Sequence, residues 1–493
     1  MYQFTQLVTL FFYKLFDANA WSWHLLFVSL HAFNATMLFA FFRRLFLNSS
    51  VKNAANVAWA GSLLFCICPH VSEVVVWEPA FHYLLGFLLM LVVLHCTQNF
   101  LITQQIKYAW WGGIVFFLSS YSLEVFYLTP LFVFSLGVYY FTVLECGKKK
   151  FVKVLLYFLL PQAIFFTLNL ALIHARYHEG VAHITSNSIR FNVTTLSKGL
   201  KYVFHIVFLG RYFSQDMRLK FYGFSESGLG LSLFYGIFLV AVISIIARFR
   251  RMENEGKATV LLFTWVVLSI GLIMPLWFPV TGLSIYDRYL YEPCAIVYIF
   301  LALLLNTIFN KYTFAVIITL YALLNLRFTH KVNSYWQQSA HIVNNLVYSF
   351  PNDPSKKVLL LNLPECLDGV QMIGSRTEGE FAMMYDALMP DKLSNPVYDV
   401  EAYYLQSPAD GAHVTVINDS TCRITLNQWG TWYLFYGFGA SSYENGDFKV
   451  DMRDAGHLYD LILKHPANEY LLLYETDGQW KKVDWDKKNT DQY

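Results

Sequence analysis

Long apolar runs recur through the first two thirds of the chain, and they restrict its possible folds more than any other feature. Of the 493 residues, 56% are hydrophobic, 18% are aromatic and only 14% are charged, whereas a soluble domain carries about 25% charged residues. A run of about 20 apolar residues is long enough to cross a bilayer as a helix. The sequence therefore predicts an integral, multi-pass membrane protein that is embedded in the lipid bilayer.

About ten membrane spans are predicted within residues 1–350, several of them near the lower length limit. They are Trp23–Phe42, Val57–Cys68, Phe81–His95, Tyr108–Ser120, Val125–Leu144, Phe151–Ile173, Leu229–Ile246, Leu261–Val280, Cys294–Ile308 and Tyr312–Leu326. Leu196–Phe213 is interpreted as an interfacial helix within a long loop, Ala175–Gly228.

Basic residues in the short loops predict the orientation. Arg43-Arg44, Lys148–Lys150 and Arg248–Arg251 fall on one side if the ten spans are correct, and the positive-inside rule makes that side cytoplasmic. Both termini then lie outside, with nine of the twelve acidic residues that precede Pro351. Carboxylates gathered on the exterior rim favour binding or chemistry on that face.

Residues 351–493 have a different composition from the rest of the chain. They contain 22 acidic and 12 basic residues, a net charge of −10, whereas the preceding part carries +12. A Pro/Asn/Asp cluster at Phe350–Pro354 marks the boundary. We expect a soluble extracytoplasmic domain of α+β or β-rich class, with a helix at Asp454–Lys464. Alternating apolar and polar residues predict its strands at Val358–Leu363, Val397–Leu405, His413–Ile417, Arg423–Leu426, Trp432–Phe438 and Tyr470–Tyr474.

The seven cysteines form no metal-ligand pattern, so no metal ligands are assigned from them. Cys66 and Cys68 lie in an apolar run, where packing is the expected role. Cys366 and Cys422 share the C-terminal domain, and their spacing leaves open whether they form a disulfide.

The stretch Tyr286–Pro293 is the strongest candidate for a functional centre. It lies between two apolar runs, so Asp287, Arg288 and Glu292 sit at a membrane boundary, where each charge costs free energy unless it is paired. One interpretation is an aromatic belt with a snorkelling Arg. The other is an Arg that binds a lipid phosphate through two parallel hydrogen bonds, with tyrosine hydroxyls in support.

Two further predicted exterior stretches contain polar residues next to spans. Pro69–Trp77 contains His70 and Glu73, and the alternative to a functional role for them is a helix end with a Trp anchor. In Ser122–Glu124, the carboxylate of Glu124 can simply favour the N-terminus of the next helix.

Four segments together resemble membrane glycosyltransferases of the GT-C superfamily, closest to the protein O-mannosyltransferase-like and bacterial dolichyl-phosphate-mannose-type enzymes. The resemblance covers residues 2–350, and its last motif is the most specific. The segments are His24–Leu45 with His31, Asn34 and Arg43-Arg44, then Cys68–Trp77, Ser122–Glu124 and Asp287–Pro293.

The chain also departs from that family pattern. Leu123 replaces a family lysine, and His82 stands where another basic residue is expected. The family carries an acidic catalytic motif in its first exterior loop, and Asp17 does not align with it. We therefore expect that the sequence begins within that loop, after a missing span, or that it belongs to a catalytically retired relative.

The resemblance implies transfer of a sugar from a polyprenyl-phosphate-linked donor to an acceptor on the extracytoplasmic face, in the bacterial cytoplasmic membrane. A carboxylate would act as general base, with Glu73 and Asp287 as the candidates. A divalent metal or Arg288 would stabilise the phosphate; nucleic acid is not an expected partner. The alternative is a non-catalytic binder or transporter of lipid-linked sugar. The candidate substrate-binding residues are His70, Glu73, Glu124, Arg288, Tyr289 and Tyr291.

Overall fold

The structure is a computed structural model, and the described part of the chain divides into two compact units at Thr329/His330. It describes residues 3–17, 19–122, 124–143, 148–177, 195–248, 252–274, 287–373, 380–393, 395–405, 407, 410–426, 431–433, 442–454 and 458–485.

The first unit is built from helices. They are α1 (Gln3–Phe16), α2 (Ala20–Asn48), α3 (Ala54–Cys66), α4 (Ser72–Val76), α5 (Phe81–Thr103), α6 (Ile106–Ser120), α7 (Thr129–Val143), α8 (Lys148–Val154), α9 (Leu160–Tyr177), α10 (Thr195–Val207), α11 (Gln215–Glu226), α12 (Gly228–Arg248), α13 (Asn254–Ile273), α14 (Tyr291–Ile308) and α15 (Lys311–Tyr348), which continues beyond Thr329. A π-helical turn, Leu155–Leu159, joins α8 to α9.

The ten predicted spans lie largely in these helices wherever the structure describes them. The exceptions are Ile67, Cys68 and Met274, just past helix ends, and the 3-10 turn Glu124–Leu128 before α7. Seven helices among the described residues are long and apolar enough to cross a membrane, and an eighth results if α3 and the segment Pro69–Val76, bent by 50°, count as one span. The prediction of about ten was higher because it admitted short segments such as Tyr108–Ser120, which lies in a 15-residue helix. The architecture is that expected of a multi-pass membrane protein.

The helices α3 and α14 pack closely where α3 has a glycine. A Cβ atom added at Gly61 would lie 2.7 Å from the Cα of Ile299, closer than carbon atoms can approach without displacement. Small residues allow such backbone contact between apolar helices. This contact sets the position of α14 beside the segment that follows α3.

The second unit begins within α15, and its described residues contain the helix α16 (Glu380–Leu388), which was not predicted, and thirteen strands. The strands are β1 (Lys357–Leu360), β2 (Leu363–Leu367), β3 (Val370–Gln371), β4 (Val397–Asp399), β5 (Ala402–Leu405), β6 (Ala412–Asn418), β7 (Thr421–Leu426), β8 (Thr431–Tyr433), β9 (Tyr443–Glu444), β10 (Phe448–Asp454), β11 (Leu458–Leu463), β12 (Tyr470–Thr476) and β13 (Gln479–Lys482).

These strands form three sheets, in the orders β13-β12-β1-β4, β6-β7-β11-β10-β9 and β3-β2-β5-β8. The strand β1 pairs in parallel with both β12 and β4, whereas the second sheet is antiparallel throughout. The expected α+β or β-rich class is thus confirmed for this part of the chain as a β-rich fold.

The prediction of a helix at Asp454–Lys464 is wrong. Residues Leu458–Leu463 form β11, in which Tyr459, Leu461 and Leu463 point to the core. That alternation has the period of a strand and outweighs the helical interpretation. Cys366 and Cys422 are both free thiols in the structure.

A buried carboxyl group makes the stability of the second unit depend on pH. Glu475 accepts hydrogen bonds from the hydroxyl of Tyr403 and, at 2.8 Å, from the backbone N–H of Gly478. Burial raises the pKa of Glu475 to about 7, and these two hydrogen bonds only partly oppose the rise. The folded unit therefore favours the protonated carboxyl group.

We expect Glu475→Gln to remove a pH dependence of stability. Because the folded pKa lies above the unfolded one, stability is full below about pH 4.5 and is lost as the pH rises through 7. The loss is on the order of 3 kcal/mol. Thermal unfolding of the full chain between pH 5 and 8 measures it. Asp419→Asn, at an exposed turn, is the control and should keep the wild-type slope; an unchanged slope in Glu475→Gln would contradict the prediction.

Candidate functional site

The segment after α3 carries two of the predicted site residues into the interior. Cys68 is extended, as a residue before proline usually is, and Pro69–Val71 then forms a single 3-10 turn that leads into α4. This turn buries His70 completely, and Glu73, in the first turn of α4, is 4% exposed. Both side chains are thereby removed from solvent.

Residues 287–290 form a second 3-10 turn at the start of α14. Asp287 is 1% exposed and Arg288 is 7% exposed. Charged side chains are almost never this buried unless they are paired. Their partners therefore determine what the site can do.

Asp287 is the centre of a group that we call the Asp287 cluster, formed with His70, His205 and Arg211. Oδ2 of Asp287 accepts a hydrogen bond from Nη1 of Arg211 at 2.7 Å and lies 3.2 Å from Nδ1 of His70. Oδ1 lies 3.0 Å from Nε2 of His205. The second nitrogen of His70, Nε2, lies 3.0 Å from the backbone oxygen of His205. The carboxylate is thus fully engaged.

Glu73 and Arg288 form a separate buried ion pair. Oε1 of Glu73 accepts from Nη1 of Arg288 at 2.5 Å, and Oε2 accepts from the backbone N–H of Arg288 at 2.8 Å. The guanidinium carbon also lies 5.3 Å from the ring centroids of Trp77 and Tyr289. Glu73 therefore neutralises the arginine predicted to bind phosphate, and Arg288 in turn occupies both oxygens of a predicted base.

His205 differs from the other members of the cluster because one ring nitrogen has no partner. Its Nε2 faces Asp287, whereas Nδ1 is buried and makes no hydrogen bond within the described part of the chain. Burial lowers the pKa of His205 to about 4; repulsion from His70 adds to this, and Asp287 opposes it. The imidazole is therefore neutral at physiological pH. With Nε2 as the protonated nitrogen, Nδ1 presents a free lone pair.

The Asp287 cluster also has the composition of a metal site. One ligand atom from each of His70, His205 and Asp287 lies within 4.8 Å of the others, and two imidazoles with a carboxylate suit Zn²⁺ and related ions. Arg211 already donates to the same carboxylate, and its positive charge opposes a second cation there. The three residues can hold a divalent metal only if that arginine moves aside.

A second buried cation, Arg218 in α11, has no counterion among the residues that the structure describes. Arg218 is 9% exposed, and no carboxylate or hydrogen-bond acceptor contacts its guanidinium among the described residues. Its Nε atom is buried and unbonded. Burial raises the pKa of Tyr222 to about 12, an effect that Arg218 opposes and Asp287 reinforces, so Tyr222 lies within electrostatic reach of both. A buried cation without a partner is costly, and an anionic ligand would offset that cost.

The remaining predicted residues lie elsewhere or outside the described residues. The hydroxyl of Tyr291 lies 2.8 Å from Nδ1 of His31 and accepts from the amide of Asn34 at 3.2 Å, within the helix packing. Tyr289 packs its ring edge-on against Tyr83. The side chain of Glu124 lies outside the described residues.

Sequence reasoning missed His205, Arg211 and Arg218 because they belong to a loop that was interpreted as interfacial. A usable signal was present: Thr195–Val207 is an amphipathic helix with lysines and a histidine among its polar residues. Such a helix beside a membrane can contribute polar groups to a site as well as lie on a surface.

The chain matches no known protein-family model, and no curated protein is significantly similar to it in sequence.

Proposed function

We propose that the first unit transfers a sugar from a polyprenyl-phosphate-linked donor to an acceptor hydroxyl on the extracytoplasmic face of a membrane. One observation carries the proposal. A neutral imidazole with a free nitrogen, His205, is held by the buried carboxylate of Asp287. Tyr222 lies within electrostatic range both of that carboxylate and of Arg218, an arginine with no counterion among the described residues. Transfer from a phosphate ester requires a base for the acceptor hydroxyl and a cation for the phosphate.

In this mechanism His205 is the general base. Nδ1 of His205 takes the proton of the acceptor hydroxyl while the hydroxyl oxygen forms a bond to the anomeric carbon of the sugar. The bond from that carbon to the phosphate oxygen breaks, and its electron pair leaves with the lipid phosphate. Asp287 stabilises the imidazolium that forms, and Arg218 stabilises the phosphate. The base is thus His205 in place of Glu73 or Asp287, because an arginine already engages each of those carboxylates.

A non-catalytic binder or transporter of lipid-linked sugar is the second candidate. It is favoured by the same ion pairs, since neither Glu73 nor Asp287 has a free oxygen to act as base. Such a protein would need Arg218 but not His205.

Reconstitution distinguishes the two candidates. The full chain is placed in lipid nanodiscs with radiolabelled mannose or glucose on undecaprenyl phosphate or dolichyl phosphate, and with a mixture of acceptor peptides and glycans. Glycosyl transfer requires labelled product from wild type and its loss in His205→Gln. Recovery of the intact labelled donor, bound equally by wild type and His205→Gln, would establish the binder and refute the transferase.

We expect Arg218→Ala to weaken binding of undecaprenyl phosphate about 10- to 100-fold, the range of a charge-assisted hydrogen bond. Binding is measured in nanodiscs by displacement of a fluorescent polyprenyl phosphate. Lys220→Ala is the matched control, because Lys220 is an exposed cation on the same helix, and it should bind like wild type. Equal weakening in both variants would point to general surface charge instead of a site.

A further inference from the structure

Two buried thiols face each other beside the Asp287 cluster. The thiol of Cys68 donates a hydrogen bond to Sγ of Cys294 at 3.7 Å, and both residues are at most 1% exposed. Cys68 lies two residues before His70, and Cys294 lies in the first turn of α14, which begins just after Asp287–Leu290. The two sulfur atoms therefore connect the two segments that supply the cluster.

We propose that Cys68 and Cys294 are a peroxide-responsive pair that forms a disulfide bond between these segments. A disulfide requires the two sulfur atoms to approach to about 2.05 Å, so the separation must shorten by roughly 1.7 Å. The two sulfur atoms are already in hydrogen-bond contact, so the bond requires movement of two side chains that face each other. This inference does not depend on the proposed glycosyl transfer.

The oxidant that fits a buried pair is hydrogen peroxide, because it is little larger than water. The sulfur of Cys68 attacks one peroxide oxygen, the O–O bond breaks, and water leaves with a sulfenic acid on Cys68. The thiol of Cys294 then attacks that sulfur, the S–O bond breaks, and a second water carries away the oxygen. Two thiols and one peroxide thus give one disulfide and two waters.

Cys68 is the better candidate for the first step. The hydroxyl of Tyr298 lies 3.4 Å from its sulfur, so a polar group adjoins the atom that would attack the peroxide. Cys294, one residue after Pro293 within α14, is held by the helix and suits the second, resolving step.

The bond would fix the segment of His70 to α14. His70 then stays at hydrogen-bond distance from Asp287 even when the helices fluctuate. Oxidised protein should therefore unfold at a higher temperature than protein reduced with dithiothreitol. Cys294→Ser should show no such difference.

The test starts with wild-type protein in nanodiscs, treated with hydrogen peroxide, denatured, alkylated and digested. Mass spectrometry should find the Cys68 peptide joined to the Cys294 peptide, and two fewer of the seven cysteines should be alkylated than in reduced protein. Cys66→Ser, which removes the half-buried neighbour on the same segment, should form the same bond. In Cys294→Ser, dimedone should label Cys68 after peroxide.

Three results would overturn the proposal. Both thiols could remain open to alkylation after peroxide, or the bond could join a different pair of cysteines. Sulfinic acid could also accumulate on Cys68 while Cys294 stays reduced, which would show that Cys294 does not resolve. Absence of a dimedone adduct on Cys68 would overturn its assignment to the first step.

Discussion

Replacing Asp287 with Asn is expected to destabilise the protein by about 3–5 kcal/mol, the cost of removing one partner of a buried ion pair. The change keeps the shape of the side chain but removes its charge. Arg211 would then remain buried without a counterion, and His70 and His205 would each lose the carboxylate that they contact. Thermal unfolding of the full chain in detergent measures the loss.

Asp17→Asn is the matched control for this prediction. Asp17 is an exposed carboxylate in the same unit, and its replacement should leave the unfolding temperature within error of wild type. If Asp287→Asn unfolded at the wild-type temperature, the Asp287 cluster would not hold the site together.

The second large effect concerns the pair of Glu73 and Arg288. We expect Glu73→Leu and Arg288→Met each to cost about 3–5 kcal/mol, since each leaves one buried charge alone. The double variant should cost much less than the sum, because an apolar pair of similar volume replaces a desolvated ion pair. A double-mutant cycle measured by thermal unfolding gives the coupling free energy between the two side chains. Losses of stability that simply add would contradict a direct pairing.

The same double variant separates two roles of Arg288. The motif predicts that Arg288 binds the lipid phosphate, whereas its contacts with Glu73 favour a structural role. If the role is structural, the double variant should still bind undecaprenyl phosphate. If Arg288 contacts the phosphate, the double variant should fold but lose this binding, although Arg218 is intact.

Most of the helices could be predicted because apolar length is a local property of the chain. Each predicted span lies largely in a helix where the structure describes it, whatever its neighbours are. The β-rich unit was harder to predict. At Asp454–Lys464 a short apolar run was interpreted as helix, although Tyr459, Leu461 and Leu463 alternate as in a strand, and pairing with β7 and β10 completes the strand. In so short a run, periodicity alone does not separate helix from strand.

The site could be predicted only in part, for a related reason. Asp287, Arg288, His70 and Glu73 were found because charged residues at the end of an apolar run need partners. Which partner each one takes depends on contacts between distant segments. His205 lies 82 residues from Asp287, and no local pattern joins them.

That distance along the chain has a consequence for synthesis. Glu73 and Arg288 are 215 residues apart, so a ribosome that adds about 5–20 residues per second makes the arginine roughly 10–40 s after the glutamate. During that interval Glu73 has no partner, and the interior of the bilayer would be a costly place for its charge. We expect the nascent segment Pro69–Val76 to remain near water until α14 emerges. During that interval an insertion chaperone would be able to bind the incompletely folded chain, and a protease would be able to cleave it.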